Sequence, residues 1–153
     1  FRGGGYSASA GVFRDLITLF PDAPAPYVGL GWCDVERDSL HAAIDLFDHA
    51  LRFDEENDAL AGVVVAASAL ALDSIAVDAA YRIHRTDYVF QGNPQFGYPQ
   101  VVYLRALAEF HLLRWADCYA SLRILDPDLD IDLTALDFRE QLFAALDGLR
   151  DRS

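Results

Sequence analysis

Residues 59–72, ALAGVVVAASALAL, contain no charged side chain. The run falls short of the roughly 20 apolar residues that a membrane span needs. A helix that is apolar almost all round has no face to give to water, so it has to lie between neighbours in the middle of a structure. This segment therefore asks the rest of the chain for helices on both of its sides.

The flanking sequence supplies them. In "VFRDLITLF", Val12, Phe13, Leu16, Ile17 and Phe20 fall on one face at helical spacing, and "PDAPAP" then stops the helix. A second helix is expected over about 26–36 and a third over about 40–53, with Ser39 as its N-cap. In the third, Leu40, Ala43, Ile44, Phe47, Ala50 and Leu51 recur at i, i+3, i+4, i+7, while Asp45, Asp48 and Arg52 face away. Further helices are expected over about 58–72, 74–86, 100–113, 115–125 and 135–149. The last begins at "TALD", where Thr134 and Asp137 have capping-box spacing. "YVFQGNPQFGYPQ" is the longest stretch without helical pattern, and no segment but the short "LDID" alternates with period two. The expectation is an all-α fold, with a flexible segment over 1–10 and one domain over 11–150.

At 153 residues the chain suffices for one compact domain, burying roughly 70% of its unfolded surface. Its 24 acidic residues face 12 basic ones, all Arg. A net charge of −12 repels phosphate backbones and anionic lipid surfaces, so nucleic acid and membrane are poor partners and a basic or apolar ligand is a better one. The same excess also keeps a surface solvated. The chain has no Met and starts "FRGGGYSASAG", with neither a basic n-region nor an apolar signal core, the pattern of a fragment or a processed chain. A cytoplasmic location is expected, or a periplasmic or cell-surface one if a signal segment has been removed.

An internal repeat sharpens the fold. Leu30, Gly31, Ala43, Phe47, Ala50 and Leu51 stand where a tetratricopeptide repeat has its Leu-Gly, its first helix-B Ala, its Phe, and its second Ala followed by Leu. With a period of about 34 residues the next unit starts at 58. There Val65 takes the small-residue place, Tyr81 the aromatic one and His84 the late Ala. A third unit follows the 88–99 insertion, with Ala106, Trp115, Cys118 and a closing Asp126-Pro127 in pattern. The chain thus resembles the tetratricopeptide superfamily, as a bacterial-type scaffold, in units of about 24–57, 58–88 and 99–127. Asp34 and Glu55 depart from that pattern, replacing the family's Tyr and Pro.

The resemblance implies a right-handed α-solenoid of antiparallel helix pairs, with a preceding half-repeat helix and a C-terminal capping helix over 135–149. It also implies a protein-protein interaction scaffold whose first helices line a concave groove. Carried onto this chain, the groove positions are Val28, Trp32, Val35 and Glu36, then Gly62, Ala66, Ala69 and Leu70, then Tyr103, Leu107, Phe110 and His111. None is the Lys, Arg or Asn of the family's carboxylate clamp. A permanent subunit of a larger assembly is the alternative, and the chaperones of type III secretion translocators look similar.

The insertion carries Tyr88, Phe90, Phe96 and Tyr98, either as anchors for a peptide or folded back to plug the degenerate second repeat. Cys33 and Cys118 occupy packing positions with no activating base in pattern, so no catalytic role and no cofactor are expected. His41 and His49, two turns apart with Asp45 between them, could form a weak metal site but read as a solvated face. His84 reads as a packed histidine. In "ILDPDLDIDL" the alternating aspartates resemble the start of a calcium loop, but Ile131 stands where its Gly should be and Asp137 where its Glu should be. An extended connector is expected there, and no metal.

Overall fold

The computed structural model describes residues 6–151. It is all-α apart from one small hairpin. The helices are α1 (Tyr6–Leu19), α2 (Pro24–Glu36), α3 (Leu40–Leu51), α4 (Asn57–Ala69), α5 (Asp73–Arg82), α6 (Tyr98–His111), α7 (Trp115–Leu125) and α8 (Phe138–Arg150). Between α5 and α6, β1 (Val89–Phe90) and β2 (Asn93–Gly97) pair antiparallel around Gln91-Gly92. Each helix packs on the next, and α2, α4, α6 and α8 also touch in series.

Three of the connections are built alike. After α2, α4 and α6 the chain turns through a residue in the left-handed region, Asp38, Ala71 and Leu113, with φ of 59°, 56° and 61°. In each turn two backbone N–H groups reach back into the helix: Ser39 to the Asp34 carbonyl and Asp38 to Val35, Leu72 to Ala67 and Ala71 to Ser68, Arg114 to Glu109 and Leu113 to Phe110. This is the Schellman closure, which satisfies carbonyls that a helix end leaves open. Left-handed geometry costs a residue with a Cβ about 1–2 kcal/mol, so three such turns without one Gly are held by the packing of the helices they join.

The turns give the spacing of the units. Asp38 and Ala71 are 33 positions apart, and Ala71 and Leu113 are 42 apart because the hairpin intervenes. In that register Ala43, Ala76 and Cys118 are equivalent and fully buried, as are Phe47, Ala80 and Leu122. The first unit is therefore one residue shorter than the expected 34, and the second begins one position earlier. Val64, Ala80 and Ile83, not Val65, Tyr81 and His84, take the packing places, which is why Tyr81 and His84 are exposed.

The core around α4 is held by one aromatic. Phe47 is wholly buried, and a Cβ at Gly31 or Gly62 would come within 2.6 or 2.3 Å of its ring. Phe13 lies on Gly29 in the same way, at 2.4 Å. Two further expectations need correction. Of the supposedly flexible 1–10, residues 1–5 lie outside the described residues and 6–10 are helical, because Ala10 buries itself against Leu30 and Cys33. Thr134 caps nothing: its N–H and hydroxyl both donate to Asp132 Oδ1, at 2.9 and 2.6 Å, so α8 starts later, with Asp137 at its N-cap. Ser39 does stand at the N-cap of α3, though its side chain makes no capping bond.

Candidate functional site

The face shared by α2, α4 and α6 carries most of the expected groove positions, and the hairpin covers part of it. Phe90 stacks on Trp32 with ring centroids 4.3 Å apart, and Phe96 meets the same indole edge-on at 6.3 Å. The Tyr88 hydroxyl donates to Asp58 Oδ1 at 2.8 Å, and the Trp32 indole N–H donates to the Asp58 carbonyl at 3.1 Å. Tyr88 and Phe90 are buried, and Phe96 and Tyr98 are partly so. The insertion has folded back: its aromatics pack on the fold and do not stand out as anchors. The driving force is apolar burial, about 1.5–3 kcal/mol for each large side chain removed from water.

Beside the hairpin a cavity of about 500 Å³ remains. Phe13, Val28, Trp32 and Phe90 form apolar walls, with Glu56 and Asp58 from the start of α4 as acidic ones. Burial raises the Asp58 carboxyl above the usual range, opposed by the bond from Tyr88. It raises Glu56 too, with repulsion from Asp54 and Asp58 adding to it. Cys33 also lines the cavity, but burial pushes its thiol up and keeps it protonated, a poor nucleophile. Cys118 is pushed up to about 12, first by burial and then by Glu109.

The expected positions divide by unit. In the first, Val28 and Trp32 line the cavity, Val35 is half-buried and Glu36 exposed. In the third, Tyr103, Leu107, Phe110 and His111 come together around a second cavity of about 190 Å³, roofed by Phe143 and Leu146 of α8. His111 Nδ1 there lies 3.2 Å from Asp73 Oδ1. The second-unit positions are displaced by the missing residue. Gly62 faces Phe47, Ala66 is buried between helices, Leu70 is the C-cap of α4, and only Ala69 is exposed. Their places on the shared face fall to Ala61, Val65 and Ser68.

Glu56, Asp58 and Phe13 were missed as site residues. A signal existed, since Asn57-Asp58 opens the all-apolar helix next to Trp32's unit, but nothing local says that its carboxylate reaches the hairpin. Of the histidines, His49 packs its ring on Tyr27 at 4.2 Å and His41 is exposed. In the aspartate-rich connector, Asp126 accepts from the Asp128 N–H and Asp132 from Thr134, while Ile131 is buried. Among the described residues no helix is long and apolar enough to cross a membrane, and no group of three or more His, Cys, Asp or Glu is gathered as for a metal ion. No family model, curated protein or solved structure matches the chain.

Proposed function

We propose that the chain is a tetratricopeptide-type scaffold, a right-handed α-solenoid that holds a segment of a partner protein on the face shared by α2, α4 and α6. The observation that carries this reading is the recurrence of one turn geometry after α2, α4 and α6, with the same two hydrogen bonds each time. Serial contact of the same helices supports it, since a stack of helical hairpins presents its first helices side by side on one extended surface. The hairpin fills part of that surface and leaves the Val28–Trp32 cavity as the place for an anchor. The function assigned to it is binding.

The test is a selection of peptides from a random library on the full chain. Ala25 is exposed at the cavity's edge, so Ala25→Trp blocks the opening without touching the core. Selected peptides should bind the wild type saturably and lose about tenfold or more in affinity on the variant, roughly 1.4 kcal/mol. Peptides that bind both proteins equally would remove the assignment. A second reading, a permanent subunit of an assembly, is favoured by exposed apolar side chains towards both ends, Leu19 at the end of α1, Phe20 just after it and Phe143 on α8. It requires the chain to be recovered from its cells only in a stoichiometric complex.

A further inference from the structure

Resting on that reading, we infer that the anchor taken by the cavity is a basic side chain, an Arg or Lys of the partner segment, with its aliphatic stem on the apolar walls and its charge against Asp58 and Glu56. The shape suits such an occupant. About 500 Å³ is ample for one long side chain, and Phe13, Val28 and Trp32 offer the apolar surface along which a stem of methylenes lies while its head stays polar.

The electrostatics then choose between a basic and a neutral occupant. Two carboxylates line the cavity and no basic residue does, among the described residues. Arg85 lines the adjoining cavity, where Asp87 holds it through two bonds of 3.1 Å. Arg14 and Arg37 are close enough to Cys33 to act on its thiol, yet neither lines the cavity. Asp58 Oδ1 is occupied by Tyr88, whereas Oδ2 has no hydrogen-bond partner among the described residues, nor has the Glu56 side chain. Burial disfavours the charged form of both groups, and an entering cation offsets that cost. A hydrogen bond between ionised partners is roughly twice as strong as a neutral one, so the cavity distinguishes a guanidinium from its uncharged isostere. The chain's charge of −12 brings a cationic segment in faster as well.

The experiment is a titration of the isotopically labelled full chain, followed by NMR, with three probes: N-acetyl-arginine amide, its citrulline counterpart and N-acetyl-norleucine amide. The arginine probe should shift the Trp32 indole and the Gly29 and Gly92 amides, and should bind about tenfold more tightly than either neutral probe. The double variant Glu56→Gln, Asp58→Asn keeps an acceptor for Tyr88 and should abolish the preference, so that the arginine probe binds no more tightly than the neutral ones. Equal binding of citrulline or norleucine, a preference that survives the double variant, or no shift at these three groups would each overturn the inference. The two readings fail separately. Library peptides that are sensitive to Ala25→Trp but share no basic position would leave the scaffold standing and sink the basic anchor. An arginine preference without any binding peptide would do the reverse.

Discussion

The contacts around α4 and those joining α5, α6 and α7 occupy related positions in successive units, yet they are made of different materials. On the first side, Phe47 is enclosed between Gly31 and Gly62, and the core around it is apolar. On the second, Ala80 stands in Phe47's place. Arg105 and Ser121 are buried where the preceding unit has Val63 and Ala79. They belong to a network in which Tyr81 and Ser121 donate to Glu109 at 2.6 and 2.7 Å, and Arg105 Nε donates to the Ser121 hydroxyl at 3.0 Å. The Arg105 guanidinium lies 4.3 Å from the Tyr81 ring centroid. The hairpin enters at this second junction. Where a helical stack is interrupted, an aromatic plug can give way to a closed polar network, provided each member is satisfied.

The comparison can be broken from either side. Phe47→Ala should cost the most, about 4 kcal/mol by denaturant unfolding, because two glycine-lined walls cannot collapse onto the space. A loss under 1 kcal/mol would mean that Phe47 is not the plug. Glu109→Ala should cost about 3 kcal/mol, since it leaves Arg105 buried without its carboxylate. Combining Glu109→Leu with Arg105→Met and Ser121→Ala should recover most of that stability, because apolar replacement of a whole buried network is often neutral.

A smaller effect is set by pH. Burial, and then its bond to Glu109, push the Tyr81 hydroxyl up to about 12. Folding therefore favours the protonated phenol. Its contribution is complete below pH 10, the unfolded value, and is lost as pH rises towards 12. Tyr81→Phe should flatten the alkaline loss of stability in that window. It should not abolish it, because Tyr88, also raised by burial and by its bond to Asp58, remains. An unchanged alkaline slope would argue against the network. The smallest effect should be a gain: Leu113→Gly removes left-handed strain at an exposed position and should stabilise the chain by about 0.5–1 kcal/mol.

Most helices were legible because they repeat their apolar residues every three or four positions, α4 because it is apolar almost all round, and proline or a turn ends them. Gly31, Ala43 and Phe47, expected at packing positions, do pack there, with Phe47 lying against Gly31. The second unit was misread by one position because Tyr81 is aromatic and sits where a longer unit would want an aromatic. Only the backbone turn at Ala71 reveals the shorter spacing, and a left-handed Ala leaves no mark in a sequence. The hairpin was also hidden. Its apolar residues, Tyr88 and Phe90 on one side of the turn and Phe96 and Tyr98 on the other, do alternate, but two per side make no period. What fixes Phe90 and Phe96 is Trp32, more than fifty residues earlier, and what fixes Tyr88 is Asp58. The cavity's acids were hidden likewise, since Asp58 becomes part of a site only when Tyr88 and Trp32 reach it.

The binding account is tested most directly by cross-saturation NMR of the full chain with a library-selected peptide. Saturation should transfer to groups around the cavity and along the face shared by α2, α4 and α6, with Gly29, Trp32 and Gly92 among the strongest. Transfer confined to the outward positions of α3, α5 and α7, with the cavity silent, would contradict the account.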